Sequence, residues 1–322
     1  MTRLYIAWKS ECFRSAQTAD MLDCGLHLIS PVRGKGKLGA LWRYALSSVE
    51  TIGLLLTRRP NLIAIINQPF PLVVICVGYA KLFGARLVLD CHSKVYDSDF
   101  PALFRPFYRH ATQFAAVNIN HNEKDRAIVE SWSGRSMVVE TILADLPEGL
   151  RPEVDIKGDG SVFCVCTFAA DEPISLILDA ARSLPGVRFK VTGNTAKYKG
   201  DIAQAPPNVT FLGFVPTRAY YAEMGRSSAV MTLSTRPWII QMAMEEAVLL
   251  GKPVVTNHSP VMQGLLGGAG SFVDLTVESL RAGVERAISD NARLHEMTIS
   301  ARTRQRQAVR QKLTRINAYI AG

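Results

Sequence analysis

The chain has 322 residues, enough for two domains of about 150 residues each. Its composition, 48% hydrophobic and 20% charged, is that of a folded globular protein and excludes a disordered or fibrous chain. The net charge of +9 favours an anionic partner, but the sequence lacks an RNP-type aromatic motif, a zinc knuckle and a recognition-helix pattern, so nucleic acid is not the expected partner.

The N-terminal segment LYIAWKSE indicates a short strand followed by charge, not a signal peptide. The most apolar stretch, LIAIINQPFPLVVICVGYAKLFGA, contains Asn67, Gln68, Pro69 and Pro71, which a bilayer span disfavours. The six cysteines include no pair with zinc-ribbon spacing and are expected to be reduced packing residues. These features predict a cytoplasmic protein without a membrane span.

Strand and helix patterns alternate through the first half. LYIAW, LIAII, RLVLD and FAAVNI are typical of strands, and LGALWRYALSSVETIGLLLT (38–57) is apolar at i, i+3, i+4 and i+7 like a helix. GKGKLG (34–39) has the glycines of a phosphate loop but no strand before it, so we discount it. The alternation predicts an α/β fold with a doubly wound, mostly parallel sheet.

A Pro-, Gly- and charge-rich segment interrupts this alternation, which then restarts with SVFCVCTF, RFKVTG, VTFLGF, AVMTLS, PVVTN and SFVDL. We therefore predict a Rossmann-like domain over 1–150, a linker over 151–160 and a second Rossmann-like domain over 161–300. A basic helix over 301–322 could pack back on the first domain. Two such domains would form a cleft at the carboxyl ends of their strands.

The segment STRPWIIQMAMEEAVLLGKPVVTN (234–257) is the most informative part of the chain. A polar loop with Arg236 leads into a short helix bearing Glu245 and Glu246, and the strand PVVT follows Gly251. The N–H groups of a helix start bind anions, and a carboxylate two turns further can reach ribose hydroxyls. The pattern predicts a sugar-nucleotide site with pyrophosphate near residues 239–241 and hydroxyls at Glu246. Glu245 points about 100° away and is expected to be solvated or structural.

Longer motifs carry a family resemblance. NVTFLGFVP (208–216), YYAEMGRSSAVMTLSTR (220–236) and EEAVLLGKPVV (245–255) resemble the nucleotide-binding domain of glycosyltransferase family 4 and related GT-B enzymes. NQPFPLVV (67–74) and RLVLDCHS (86–93) resemble the acceptor domain, and also dolichol-linked β-mannosyltransferases. TRPWIIQMAMEEA (235–247) is similar to a bacterial exopolysaccharide subgroup.

The resemblance implies a GT-B fold of two Rossmann-like domains and a metal-independent glycosyltransferase without cofactors. It implies transfer of a hexose from a UDP- or GDP-sugar to a hydroxyl of a polyprenyl-pyrophosphate-linked glycan, in exopolysaccharide or surface glycan synthesis. The family 4 likeness implies retention of configuration and the mannosyltransferase likeness implies inversion, so the stereochemistry stays open.

The expected donor-binding residues are Thr235, Arg236, Gln241, Glu246 and Gly193. Two departures from the family pattern bear on them. The first family glutamate falls on Trp238, and the loop that usually carries an Arg and a Lys for the diphosphate reads TFAADEPI (167–174), with Asp171 and Glu172. The diphosphate is then expected to use Arg236, the helix start, and a lysine such as Lys197 or Lys199.

On the acceptor side, His92 at a strand end is the candidate catalytic base, and Asp90 could orient it. His121 is a weaker candidate, in a loop after another strand of the same sheet. By position, Ser10, Arg14, Ser15 and Ser93 are expected to line the acceptor channel. No metal ligands are predicted.

The densest positive charge lies in the tail, with a second group near the N-terminus: Arg302, Arg304, Arg306, Arg310, Lys312 and Arg315, then Arg33, Lys35 and Lys37. An anionic membrane surface at the inner face of the cytoplasmic membrane is the favoured partner, and a merely solvated helix face is the alternative. A catalytically silent GT-B subunit and a sugar-nucleotide 2-epimerase are the alternative functions.

Overall fold

The computed structural model describes residues 2–10, 12–30, 36–96, 100–198, 200 and 202–322, with the backbone alone for 36–38, 93, 94 and 203. The chain divides into two compact units, Met1–Ile142 with Gln307–Gly322, and Leu143–Arg306. The first unit thus includes the end of the chain. The division falls at 142/143, whereas the sequence pattern suggested 150 and a linker over 151–160.

The first unit contains a parallel six-stranded sheet of order β2-β1-β3-β4-β5-β6. Its strands are β1 (Arg3–Ala7), β2 (Gly25–Leu28), β3 (Leu62–Ile66), β4 (Arg86–Asp90), β5 (Val117–Asn120) and β6 (Ser136–Val138). Its helices before the second unit are α1 (Phe13–Met21), α2 (Gly36–Arg58), α3 (Phe70–Phe83), α4 (Arg105–Phe114) and α5 (Glu123–Ser131).

Continuous apolar runs explain this sheet. Every residue of β3 is buried, so both faces of the strand are covered, as expected for a parallel sheet between helices. Gly84 ends α3 in the left-handed conformation, and the Asn122 side chain accepts the Asp125 N–H (2.8 Å) to begin α5. The strand order reverses between β1 and β3, which makes their carboxyl ends the expected place for a ligand.

The second unit repeats this architecture with a parallel sheet of order β12-β11-β10-β7-β8-β9. Its strands are β7 (Ser161–Cys164), β8 (Arg188–Thr192), β9 (Val209–Gly213), β10 (Ala229–Met231), β11 (Val254–Asn257) and β12 (Gly270–Val273). Its helices are α6 (Ile174–Arg182), α7 (Thr217–Arg226), α8 (Met242–Leu249), α9 (Pro260–Leu266), α10 (Val277–Ser289) and the first part of α11 (Asn291–Ala321).

The core of the second unit lies where α6 and α10 pack on the sheet, and it includes Val162, Phe189, Met231 and Val255. The chain winds outward from β7 through β8 and β9, then returns to start again at β10. The order therefore reverses between β7 and β10, and the loops after these two strands meet at the carboxyl edge of the sheet.

The basic tail is not an independent helix over 301–322, because α11 begins at Asn291. Half of its six predicted cations are engaged in contacts. Arg302 donates to the carbonyl of Leu249 and Arg306 to that of Leu143 and to Asp145, while Lys312 pairs with Glu140. Arg304, Arg310 and Arg315 are exposed. Arg33 and Lys35 lie outside the described residues, as does the side chain of Lys37.

The long apolar stretch after residue 61 forms β3 and α3, as predicted from its prolines and polar residues. Over the described part of the chain, no helix has both the length and the hydropathy to cross a membrane.

Candidate active site

In the first unit, Asp90 ends β4 with its side chain fully buried. Its Oδ2 accepts hydrogen bonds from Tyr5 Oη (2.7 Å) and Thr18 Oγ1 (3.0 Å), and His121 Nε2 lies 3.5 Å from Oδ1. Burial raises the pKa of the Asp90 carboxyl, but the contact from His121 and the positive charge of Arg14 outweigh it and hold the pKa well below its usual range. Asp90 is therefore an ionised carboxylate inside the fold.

His92 follows β4 and is fixed through its backbone. Its N–H donates to Asn67 Oδ1 (2.9 Å) and its carbonyl accepts from Asn67 Nδ2 (3.4 Å). The ring centroid lies 5.2 Å from that of His121, and Nε2 is buried with no hydrogen-bond partner among the described residues. Burial lowers the pKa of His92 to about 4, so the ring is neutral at pH 7.

A cavity of about 320 Å³ lies at the carboxyl ends of β1 and β3, where the strand order reverses. It is lined by Trp8, Lys9, Ser30, Arg43, Tyr44, Ile66, Gln68, Pro69 and His92. His92 thus reaches the cavity, whereas Asp90 does not line it. His92 stays the predicted catalytic base, whereas the contacts of Asp90 are to Tyr5, Thr18 and His121 and not to the ring that it was expected to orient.

Asp90, His92 and His121 also form the one group within the described ranges that could offer three ligand atoms to a metal, all within 4.8 Å of one another. The charge of Arg14 acts on all three of them. A nearby guanidinium opposes the binding of any further cation at this cluster, a proton included.

The predicted acceptor roles of Arg14 and Ser15 need correction. Both side chains are buried: Arg14 donates to the carbonyls of Val139 (2.7 Å) and Glu140 (3.1 Å), and Ser15 Oγ lies 3.3 Å from Tyr5 Oη, whose own proton is donated to Asp90. These contacts are structural. Ser10 is exposed in the loop after β1, and the side chain of Ser93 lies outside the described residues.

In the second unit, the loop after β7 is an anion-binding turn that already holds an anion. Phe168 has φ +58°, and the flanking N–H groups point at one carboxylate. Thr167 N donates to Glu172 Oε2 (2.8 Å), Thr167 Oγ1 to Oε1 (3.0 Å) and Ala169 N to Oε2 (3.2 Å). Successive N–H groups in such a turn form a nest that typically binds phosphate. Here the Glu172 carboxylate occupies it.

The neighbouring acid, Asp171, joins this loop to the one after β10. Its Oδ2 accepts from Ser234 Oγ (2.6 Å) and its carbonyl from Thr235 N (2.8 Å). Ser234 Oγ in turn accepts the Arg236 N–H (3.1 Å). The side chains of Thr235 and Arg236 are exposed, so the fold presents both at the point where the strand order reverses between β7 and β10.

A cavity of about 620 Å³ adjoins the loop after β7 and includes Phe168, Glu172, Lys197 and Tyr198 in its lining. Lys197 is exposed there, whereas Lys199 lies outside the described residues. Gly193, at the end of β8, has φ +116°, and a Cβ would lie 2.3 Å from the carbonyl oxygen of Cys166. Only glycine allows this close approach, so the backbone conformation by itself explains why residue 193 is glycine. Its predicted role in donor binding stays a prediction.

Glu246 lies on α8 and is held by two tyrosines. Tyr220 Oη donates to Oε2 (2.6 Å) and Tyr221 Oη to Oε1 (3.0 Å). Burial raises the pKa of Glu246, and these two hydrogen bonds offset part of that rise. Because a carboxylate has about four acceptor positions, two remain for a ligand hydroxyl. The role of Tyr220 and Tyr221 was not predicted, because in the sequence they are only two adjacent aromatic residues.

The helix start lies slightly later than predicted. Gln241 is the N-cap residue of α8, which begins at Met242, and its side chain makes no capping hydrogen bond. Trp238, in place of the family glutamate, is half-exposed. Glu245 is buried at 2% exposure, which agrees with the structural role expected for it and not with a solvated one.

Residues 172–317 match the family model described as glycosyl transferase-like. HepE of Anabaena in complex with UDP and glucose is similar in structure, with TM-score 0.68, 15% identity, and 100% of this chain and 98% of that chain covered. Sucrose-phosphate synthase of Thermosynechococcus elongatus has TM-score 0.68 at 13% identity, covering 98% of both chains.

An E. coli structure described as trehalose-6-phosphate bound with UDP-2-fluoro glucose has TM-score 0.66 at 9% identity, covering 99% of both chains. No protein in the curated set matches the sequence significantly. The predicted GT-B fold and the predicted class, a glycosyltransferase, are confirmed: the family match gives the class and the solved structures give the fold.

Proposed function

We propose that the protein transfers a hexose from a nucleoside-diphosphate sugar, most simply a UDP-sugar, to a hydroxyl of a lipid-linked glycan. The observation that carries this proposal is the Glu246 carboxylate on α8. It lies within the region that matches the glycosyl transferase-like model, and tyrosines orient both its oxygens. HepE and the E. coli structure were solved with UDP or a UDP-sugar, which supports UDP as the nucleotide.

On the donor side, Glu246 would accept hydrogen bonds from the ribose hydroxyls. Arg236, the first N–H groups of α8 after Gln241, and Lys197 would stabilise the diphosphate as the sugar leaves. All of these residues belong to the second unit. Thr235 and Gly193 are neighbouring donor contacts in this proposal. No metal is needed, because cations and helix N–H groups carry the phosphate charge.

On the acceptor side, His92 Nε2 would take the proton of the acceptor hydroxyl as its oxygen bonds to the anomeric carbon. The bond from that carbon to the phosphate oxygen breaks, and the nucleoside diphosphate leaves with the electron pair. At neutral pH the His92 ring is unprotonated and can accept the proton, but its lowered pKa makes it a weaker base than a free imidazole. A polyprenyl-pyrophosphate-linked acceptor, exopolysaccharide synthesis and a peripheral position on the cytoplasmic membrane are parts of the same proposal.

A catalytically silent GT-B subunit is the second candidate, and Glu172 favours it. A carboxylate in the nest after β7 repels the phosphates of a donor, and Trp238 removes a further acidic ligand of the sugar. Such a subunit would bind a partner transferase or a glycan without turnover.

Thermal shift and calorimetry with UDP, GDP, ADP, CMP and dTDP, each with and without EDTA, separate the two candidates. If the protein is an enzyme, UDP should raise its melting temperature, and EDTA should not change that rise. In Glu246→Gln, loss of the charged acceptor should weaken UDP binding roughly tenfold, while the amide still accepts from a tyrosine. Glu285→Gln, an exposed glutamate of α10, is the matched control. Absence of any nucleotide binding by the unaltered protein would make the silent subunit the leading candidate.

A further inference from the structure

Helix α2 turns a polar face inward beside the cavity at the carboxyl ends of β1 and β3. At about 100° per residue, Arg43, Tyr44, Ser47 and Thr51 fall within an arc of about 100°. Ser47 and Thr51 are buried, whereas Arg43 and Tyr44 line the cavity. A helix that serves only a core buries an apolar stripe, so this inward face is suited to a polar ligand.

Two aromatic rings belong to the lining of the same cavity. Trp8 Nε1 donates to Thr51 Oγ1 (2.9 Å), and this bond fixes the position of the indole. The ring centroids of Trp8 and Tyr44 lie 6.0 Å apart, with an angle of 31° between the ring planes. Aromatic side chains supply a rigid apolar surface with a polar edge. The C–H groups on one face of a sugar ring can pack against such a surface while its hydroxyls stay hydrogen-bonded.

The charged residues in the lining are both cations. They are Lys9 and Arg43, and no Asp or Glu lines the cavity among the described residues. Arg43 is half-buried and has neither an ion pair nor a hydrogen bond with any described residue. Because charges that are withdrawn from water are usually paired, this guanidinium is available for an anion that a ligand supplies.

The positive charge also reaches the predicted catalytic base. Burial is the main cause of the lowered pKa of His92, and the charge of Lys9 is one of those that add to it. An anion bound beside Lys9 would offset this charge. The ligand itself would then restore part of the basicity that the imidazole has lost.

We propose that this cavity binds a sugar unit that carries an anionic group, either a carboxylate or a phosphate. Arg43 and Lys9 pair with the anion, and the sugar ring packs on Trp8 and Tyr44. The volume of about 320 Å³ lies at the lower end of the range for small-molecule sites, roughly 300–1,000 Å³, and suits one sugar unit. That this unit is the acceptor rests on the proposed function, in which it makes the acceptor hydroxyl that of an acidic sugar.

Calorimetry on the full chain tests this with the uronic acids, the 6-phosphates and the 1-phosphates of glucose, galactose and mannose, and with the three neutral hexoses. At least one acidic sugar should bind roughly tenfold more tightly than its neutral counterpart, because a charge-assisted contact is added. Binding of a uronic acid would identify the anion as a carboxylate, and binding of a 6-phosphate as a phosphate on the sugar. Binding of a 1-phosphate alone would identify the phosphate that joins a sugar to a carrier.

Arg43→Gln should bind that acidic sugar roughly tenfold more weakly and should leave the affinity for the neutral hexose unchanged. Arg43→Lys keeps the charge and should lose less affinity than Arg43→Gln. The matched control is Arg58→Gln, the same substitution on the same helix but outside the cavity lining. It should bind the acidic sugar within about twofold of the unaltered protein.

The inference is overturned if no acidic sugar binds more tightly than its neutral counterpart, if Arg43→Gln binds it like the unaltered protein, or if Arg58→Gln loses as much affinity. Inorganic phosphate that binds as tightly as the acidic sugar would reveal a site for a bare anion, which also contradicts it.

UDP calorimetry on the same variants separates this inference from the proposed function. An equal loss of UDP affinity in Arg43→Gln would assign the two cations to the donor diphosphate and overturn the inference. UDP binding without acidic-sugar binding sinks only the inference, and acidic-sugar binding without UDP binding sinks only the transferase proposal.

Discussion

Glu172 places a negative charge where a phosphate-binding loop of this fold has its N–H groups. Three donors from Thr167 and Ala169 converge on the Glu172 carboxylate, and the positive φ of Phe168 makes that convergence possible. A donor diphosphate would have to displace this carboxylate or bind beside it. In either case the affinity for the donor depends on Glu172.

We expect Glu172→Ala to bind UDP about fivefold more tightly, because the N–H groups then become available to a phosphate and a like charge is removed. Calorimetry measures the dissociation constant. Asp171→Asn is the control: it removes an equal charge from the same loop but keeps an oxygen for Ser234 and leaves Glu172 in place. Unchanged or weaker UDP binding in Glu172→Ala would mean that Glu172 serves only to hold the loop.

The buried histidines of the first unit couple its stability to pH. In the folded protein burial lowers the pKa of His92 from 6.5 to about 4, and the pKa of His121 is lowered for the same reason. Between these values the unfolded chain binds a proton that folded His92 does not, so the free energy of unfolding falls as the pH is lowered from 6.5 towards 4. Asp90, whose pKa is depressed, loses its stabilising charge only at still lower pH.

The melting temperature should therefore drop between pH 7 and pH 4.5, and His92 should contribute about 1–3 kcal/mol of that loss. His92→Gln removes this titration and should flatten the curve of melting temperature against pH. His258→Gln, in the second unit, is the control and should keep the slope. An unchanged slope in His92→Gln would show that the ring is not buried as a neutral group.

At the scale of elements, apolar periodicity predicted most of the helices and strands but not what covers them. The pattern over 38–57 places α2 within two residues of its bounds, Gly36–Arg58. It did not reveal that Ser47 and Thr51 face inward, because a period of 3.6 locates an apolar stripe without indicating whether protein or another surface lies against it. The inward orientation of Thr51 is shown only by the structure, in which Trp8, just after β1, donates to its side chain.

The candidate site likewise contains some residues that could be predicted from the sequence and others that could not. Glu246, Arg236 and His92 could be selected from the sequence as candidates, because strand ends and the loops and helices that follow them are where ligands bind in this fold class. The nest could not, because it depends on a left-handed Phe168, and phenylalanine is not a residue that favours that conformation. The burial of Arg14 was equally hidden, since its partners at residues 139 and 140 are distant in the chain.

For the whole molecule, the return of α11 to the first unit is the feature with the widest effect. Residues 307–322 belong to that unit although the rest of α11 belongs to the second. Within the first unit Ile316 is fully buried and Lys312 pairs with Glu140. The last residues of the chain therefore complete the core of its first domain.

Replacing Ile316 with Ala should destabilise the first unit by about 2–4 kcal/mol, since a buried side chain is truncated and a cavity is left. For a unit of this size that lowers the melting temperature by roughly 5–12 °C. UDP affinity measured well below the transition should stay unchanged, because Glu246, Arg236 and Lys197 all belong to the second unit. Asn317→Ala, exposed on the next position of α11, is the control. A melting temperature within about 1 °C of the unaltered protein would mean that residues 307–322 do not contribute to the folded core.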